Sequence, residues 1–104
     1  MAAPSIIDTS AYIEGAEGLV TIFTVVEHPA AARPGQRIIY PRTEDYLRAI
    51  RTSEELQRRG LSVGAIDILI ASIALDRNLS VITKDRDFEK IQSVEKKLKI
   101  EWIQ

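Results

Sequence analysis

Residues 65–77 form the most apolar stretch of the chain, with apolar side chains on nearly every side of a helix. A helix of this kind is stable only when most of its surface is buried. It therefore needs other layers around it, and short strand-like segments alternate with helical patterns in the rest of the sequence. This alternation predicts an α/β fold, with a mostly parallel central sheet flanked by helices, as a single domain over residues 1–104.

The boundaries of the predicted elements follow from hydrophobic periodicity and from residues that cap helices or form turns. Strands are predicted at residues 6–7, 21–26, 37–40, 79–83 and 100–103. Helices are predicted at residues 11–14, from Pro29, at 43–60 with Thr43 as the N-cap, at 65–77 with Asn78 as a left-handed cap, and at 88–97. Only residues 10–18 are available to connect the first two strands, which is near or below the usual crossover minimum of about 10–12 residues.

Four acidic residues stand at the ends of these elements: Asp8, Glu27, Asp67 and Asp85. Asp8, Glu27 and Asp85 each follow a predicted strand, whereas Asp67 opens the apolar helix. Residues just past the carboxyl ends of parallel strands face a common crevice. Carboxylates gathered there repel one another, by about 1 kcal/mol per pair in water and by more at a protein surface. Such a cluster either raises a pKa or binds a cation, and we interpret it as a metal site.

The types of residue present favour Mg²⁺ or Mn²⁺ at this site. Both are hard cations that prefer oxygen ligands, whereas zinc sites use His or Cys. The chain has no cysteine, and its single histidine, His28, cannot form a zinc site alone. Clustered carboxylates that hold divalent ions are suited to hydrolysing phosphodiesters, because a bound metal activates water and stabilises the leaving oxygen.

The net charge of −1 means that no overall basic field attracts nucleic acid. A polyanionic substrate would depend on local cations, and Lys84 and Arg86 flank the proposed site and are predicted to contact its phosphates. No apolar run is long enough for a membrane span, so no membrane association is expected. Residues 1–5 lack the pattern of a signal peptide, and the cytoplasm is the expected location.

Four stretches of the sequence resemble PIN-domain ribonucleases, and most of all the VapC-type toxins of VapBC toxin–antitoxin pairs: Asp8-Thr9-Ser10, Glu27, residues 64–74 (GAIDILIASIA) and residues 81–88 (VITKDRDF). The carboxyl-terminal pair is the specific part. There an aspartate opens an apolar helix, and a Thr-x-Asp-x-Asp-Phe motif follows a strand. The resemblance covers nearly the whole chain and is firmest from Tyr40 onward.

The resemblance implies a Mg²⁺- or Mn²⁺-dependent endoribonuclease that forms a homodimer and is inhibited by a cognate antitoxin. It implies that the four acidic residues named above are the catalytic and metal-binding set. It further implies that Ser10 and Thr83 are hydroxyl residues within the site, and that Asp87 is an additional acidic residue supporting it. The chain departs from the family pattern in its short region between Asp8 and Glu27, which bears on the surface that would bind an antitoxin.

Two other α/β classes use acidic clusters, but their residues do not match this sequence. A response-regulator receiver domain needs an acidic pair after the first strand and an aspartate after a middle strand, whereas Asp67 opens a helix. A haloacid-dehalogenase-like phosphatase needs Asp-x-Asp where this chain has Asp8-Thr9-Ser10. A different alternative stays open: a shortened PIN-like module that binds or assembles with partners and has little nuclease activity.

Overall fold

The structure is a computed structural model that describes residues 4–104. Residues 1–3 lie outside the described residues. They belong to the predicted domain and to the segment in which no signal-peptide pattern was found. Within the described part of the chain there are five strands: β1 (Ser5–Ile7), β2 (Val20–Thr21), β3 (Ile38–Ile39), β4 (Ser80–Thr83) and β5 (Lys99–Trp102). The same residues contain five helices and one 3-10 turn: α1 (Thr9–Ile13), α2 (Ile22–Glu27), the turn Pro29–Ala31, α3 (Thr43–Arg58), α4 (Ala65–Asp76) and α5 (Asp87–Val94).

The strand pairs among residues 4–104 are all parallel, in agreement with the prediction of a mostly parallel sheet. β1, β4 and β5 form one sheet in that order, and β2 pairs with β3. A parallel bridge between Ile6 and Leu19 joins the two sheets, so the strands run in the order β3-β2-β1-β4-β5. The carboxyl ends of β1 and β4 therefore lie side by side near the middle of the molecule.

Helix α4 is buried on most of its surface, which confirms the prediction from its apolar sequence. Its buried residues share the main core with Ile6, Val81 and Phe88 and with the packed faces of α3 and α5. A smaller core around Ile7, Ala11 and Val20 covers the other face of the sheet. Asn78 ends α4 with a φ of 55°, so its prediction as a left-handed cap is also confirmed. Among residues 4–104, no helix combines the length and apolar character of a membrane span.

The predicted strand at residues 21–26 is wrong, because only Val20–Thr21 is extended and Ile22–Glu27 is helix α2. The run of β-branched residues favours a strand, but the neighbouring strands β1 and β3 are too short to pair with a longer one. β3 is two residues long, and β1 ends at Ile7. Beyond Thr21 the backbone must satisfy its hydrogen bonds internally, which a helix does. Glu27 consequently lies at the end of a helix.

Smaller differences concern helix boundaries. Thr43 is not the N-cap of α3 but its first residue, because the carboxylate of Asp45 accepts a hydrogen bond of 2.6 Å from the backbone N–H of Arg42. That bond satisfies a donor that would otherwise be free at the helix start. The helix predicted from Pro29 is a single 3-10 turn, and α5 ends at Val94, three residues before its predicted end.

The short link between β1 and β2 contains the five residues of α1 and then passes Gly18, where two backbone segments approach closely. A Cβ atom on Gly18 would lie 2.7 Å from the carbonyl oxygen of Ser5 and 3.1 Å from Cγ2 of Ile7. The short link thus depends on a residue without a side chain. Gly64, which precedes α4, has no such neighbour within 4 Å and an ordinary φ of −66°.

We expect Gly18→Ala to lower the free energy of unfolding by roughly 1–3 kcal/mol, because the backbone of Ser5 cannot move aside without disturbing β1. Gly64→Ser, the control, adds a Cβ where nothing lies within 4 Å and places a favoured residue at the N-cap of α4, so it should lower the free energy of unfolding by no more than about 0.5 kcal/mol. Urea denaturation followed by circular dichroism measures both values. Equal stability of the two variants would show that the close approach at Gly18 does not constrain the link.

Candidate metal centre

A cleft of about 390 Å³ opens beside the carboxyl ends of β1 and β4 and the first turn of α4. All four acidic residues predicted for the site line it, although they come from four separate parts of the chain. The other lining residues are Thr9, Ser10, Gly64, Ala65 and Ile66. The fold therefore brings the carboxylates of Asp8, Glu27, Asp67 and Asp85 to one place.

The carboxylate of Asp8 is held by three donors. Asp8 is 2% exposed and caps α1, and its Oδ1 accepts hydrogen bonds from the backbone N–H of Ala11 (2.9 Å) and from Oγ of Ser10 (2.8 Å). Its Oδ2 accepts a hydrogen bond of 2.6 Å from Oγ1 of Thr83 on β4. Buried carboxylates need such partners, so Ser10 and Thr83 hold Asp8 in one orientation.

Thr83 also connects Asp8 to the loop that carries Asp85. Its Oγ1 accepts a hydrogen bond of 2.9 Å from the backbone N–H of Asp85, and Oδ1 of Asp85 in turn accepts one of 2.9 Å from the backbone N–H of Asp87. The loop after β4 is thus fixed relative to β1.

Asp67, Asp85 and Asp87 each place one carboxylate oxygen within 4.8 Å of the other two. Asp87 is not among the residues that line the cleft, and its Oδ1 lies 3.0 Å from Nζ of Lys90. Asp87 therefore adds negative charge beside the site while it pairs with a cation of its own helix.

Burial raises the pKa of Asp67 to about 7, and the negative charges of Asp85 and Asp8 contribute further to the increase. Within residues 4–104 the structure shows no cationic side chain paired with Asp67. A carboxyl group in this position gains from a proton or from a bound cation.

Glu27 reaches the cleft from the last residue of α2, and its side chain is exposed. Its Oε1 accepts a hydrogen bond of 3.1 Å from Oγ1 of Thr9, which also lies 3.1 Å from Oγ1 of the buried Thr24. Neither threonine was predicted from the sequence to have a role in the site. Their part in the site depends on α2 being a helix, which the β-branched pattern did not indicate.

Lys84 and Arg86 flank the cleft but do not line it. Nζ of Lys84 forms an ion pair with Glu14, and its backbone N–H donates to Oγ of Ser10 at 3.0 Å. Arg86 pairs with Glu89 at 2.7 Å and lies 4.3 Å from the ring centroid of Trp102. Both cations are thus engaged with neighbours, in pairs that are largely exposed to solvent.

The donor set fits a hard divalent cation. The cleft presents carboxylate and hydroxyl oxygens, and neither nitrogen nor sulfur ligands lie among its lining residues. His28 instead packs against Tyr12, with ring centroids 5.7 Å apart. The pKa of Asp67 is raised first by burial and then by the negative charges of Asp85 and Asp8, and a bound cation would neutralise those charges.

The raised pKa of Asp67 predicts that Asp67→Asn stabilises the metal-free protein at high pH. Because the folded-state pKa lies above the usual value, ionising Asp67 destabilises the fold as pH rises from about 4 to about 7, and the loss is complete above that range. At pH 8 we expect the variant to be more stable than wild type by on the order of 2 kcal/mol. At pH 4 the difference should largely disappear. Chemical denaturation in EDTA at both pH values measures it, and a pH-independent difference would contradict this account of Asp67.

The comparisons with known proteins agree with the fold. The sequence profile of the PIN domain matches residues 30–94, which is more than half of the chain. No curated protein sequence matches the chain.

Among solved structures, the chain is similar to VapBC-5 from Mycobacterium tuberculosis, with 22% identity, a TM-score of 0.71 and coverage of 96% of this chain and 97% of the other. It is also similar to DNA-bound VapBC from Salmonella typhimurium, with 19% identity, a TM-score of 0.73 and coverage of 97% and 98%. VapBC2 from Rickettsia felis, bound to a DNA fragment from its promoter, gives 16% identity, a TM-score of 0.73 and coverage of 96% and 98%. These similarities show a shared fold. Together with the profile match, they establish that the chain belongs to the PIN domain family.

Proposed function

We propose that this PIN domain is a Mg²⁺- or Mn²⁺-dependent endoribonuclease that hydrolyses RNA phosphodiester bonds, and that it is the toxin of a VapBC-type toxin–antitoxin pair. The observation that carries the proposal is the meeting of Asp8, Glu27, Asp67 and Asp85 in one cleft. Four unneutralised carboxylates are costly to a fold unless they serve a cation. Membership of the PIN family and the shared fold with VapBC structures support the same reading.

Asp8, Asp67 and Asp85 would hold the cation, with Glu27 completing the set at the exposed side of the cleft. When bound, a divalent cation supplies a water of lowered pKa and neutralises charge on the scissile phosphate. Ser10 and Thr83 keep the Asp8 carboxylate in place through the hydrogen bonds described above. The carboxylates also offer an acceptor for the proton that an attacking water loses.

Lys84 and Arg86 are proposed to contact the RNA backbone beside the cleft. They lie on either side of Asp85, so a phosphate near the carboxylates would be close to the loop that carries them. Their present partners are Glu14 and Glu89, in ion pairs that are largely exposed. Exposed pairs contribute little free energy, so exchanging them for phosphate contacts costs little.

We further propose a protein antitoxin as an inhibitor, a homodimer as the assembled state, and the cytoplasm as the location, where an RNA substrate is present. An apolar groove of about 510 Å³ between α3 and α4 supports protein–protein contact. Tyr46 and Ile50 line this groove and are 46% and 56% exposed, and the adjacent Leu47 is 51% exposed. Exposed apolar patches commonly mark interaction surfaces. Light scattering after size exclusion tests the proposed dimer: twice the 11.7 kDa mass of one chain is expected, and the mass of a single chain would contradict it.

The alternative of a binding module with little nuclease activity rests on the short link between β1 and β2. It predicts a displaced Glu27 or a closed site. Glu27 lines the cleft with the other three acidic residues, although it comes from a helix and not from a strand end, and the cleft is open. These two observations favour the nuclease.

Purified protein is expected to cleave single-stranded RNA when Mn²⁺ is present and to stop when EDTA is added. Asp67→Asn should lower the rate by about 100-fold or more, because a damaged site loses several kcal/mol of charge stabilisation. Glu44→Gln removes an exposed acidic residue outside the cleft and serves as the matched control. Cleavage at equal rates by Asp67→Asn and wild type, or no cleavage of a panel of RNAs by wild type, would contradict the proposal.

A further inference from the structure

We propose that Thr9 is a positioning residue, whose hydroxyl holds the Glu27 carboxylate at the cleft, and that Thr24 fixes the direction of that hydroxyl. This role rests on the proposed metal-dependent function, and it extends that function to two side chains outside the acidic set. It follows from the contacts among Thr9, Thr24 and Glu27.

The direction of each hydrogen bond follows from the chemistry of the three groups. An ionised carboxylate only accepts hydrogen bonds, so the contact of 3.1 Å between Oγ1 of Thr9 and Oε1 of Glu27 uses the single hydroxyl proton of Thr9. The contact of 3.1 Å between the two threonine oxygens must then use the proton of Thr24. The result is a directed chain in which Thr24 donates to Thr9 and Thr9 donates to Glu27. Successive hydrogen bonds of this kind strengthen one another.

The burial of Thr24 keeps these two hydrogen bonds in the same direction. Thr24 is 0% exposed, so water does not compete for its hydroxyl. Thr24 and Glu27 are three residues apart on α2 and therefore lie on the same side of that helix. Thr9 is the first residue of α1 and follows Asp8 directly. Thr9 thus links Asp8, the N-cap of α1, to Glu27 at the end of α2.

Glu27 needs such a partner because it is the exposed member of the acidic set. A long, exposed side chain loses rotamer freedom when it binds a ligand, at a cost of up to about 2 kcal/mol. The bond from Thr9 fixes Oε1, and within residues 4–104 no hydrogen bond to Oε2 is present. Oε2 can therefore bind a cation without competing with the hydrogen bond from Thr9. Hydrogen bonds to metal-binding side chains typically affect metal affinity by about 10- to 100-fold.

Binding of Mn²⁺ alone, measured at pH 8 from the electron paramagnetic resonance signal of free Mn²⁺, tests this role without RNA or catalysis. Thr9→Val keeps the shape of the side chain and removes the donor, so we expect affinity to fall by about tenfold. Thr9→Ser keeps the donor and should restore affinity to within about threefold of wild type. Thr24→Val keeps the hydroxyl of Thr9 but removes the bond that sets its direction. We therefore expect Thr24→Val to lower Mn²⁺ affinity less than Thr9→Val does.

A double-variant cycle with Glu27→Gln separates positioning from a general effect on the fold. If Thr9 acts through the Glu27 carboxylate, Thr9→Val should weaken Mn²⁺ binding by less than about twofold in the Glu27→Gln background. A tenfold loss in that background as well would show that Thr9 acts elsewhere and would overturn the role. The role would also be overturned if Thr9→Val bound Mn²⁺ with wild-type affinity, or if Glu27→Gln did.

These outcomes are distinct from failure of the proposed function. If Asp67→Asn abolishes Mn²⁺ binding while Glu27→Gln and Thr9→Val bind normally, the metal site stands and only the role of Thr9 is lost. If wild type binds no Mn²⁺ at all, both are lost. Thermal unfolding of metal-free Thr9→Val, compared with Thr9→Ser, establishes that the variants are folded.

Discussion

Repulsion among carboxylates in a partly buried cleft is the constraint on which the rest of the site depends. Asp8, Asp67 and Asp85 lie close enough that the negative charges of Asp8 and Asp85 raise the pKa of Asp67 beyond the effect of burial alone. Such an arrangement is held together by the surrounding fold, because the groups themselves favour separation. The hydroxyls of Ser10 and Thr83 and the backbone N–H groups of α1 and of the loop after β4 provide that restraint.

The parallel sheet explains how these hydrogen bonds can hold the carboxylates together. β1 and β4 are neighbours, so the residues that follow their carboxyl ends meet, and Thr83 at the end of β4 donates directly to Asp8 after β1. Helix α4 adds Asp67 from its first turn and is itself fixed by burial in the main core. Asp8 and Asp67 are therefore held by the sheet and by α4, and Asp85 is held by the hydrogen bonds that fix the loop after β4. Glu27 is the exception, since it is exposed and reaches the cleft from a short helix.

The part of the site around Glu27 is also the part that the sequence predicted least well. Helix α4, the cap at Asn78 and the strand before Asp85 follow from strong local signals, and the structure has all three. Helix α2 was not predictable in this way, because residues 21–26 are β-branched apart from Phe23, and the shortness of β3 and β1 is what prevents a longer strand. The roles of Thr9 and Thr24 were hidden for the same reason. Lys84 and Arg86 were predicted from their position beside Asp85, but their pairing with Glu14 and Glu89 depends on tertiary contacts.

The most direct measurement of the central claim is anomalous scattering from crystals soaked in Mn²⁺. The account predicts a strong anomalous peak in the cleft, at coordination distance from carboxylate oxygens of Asp8, Asp67 and Asp85, and its loss in Asp67→Asn. A cleft without a peak in well-diffracting wild-type crystals at millimolar Mn²⁺, or a peak that stays unchanged in Asp67→Asn, would contradict the assignment of these carboxylates to a metal centre.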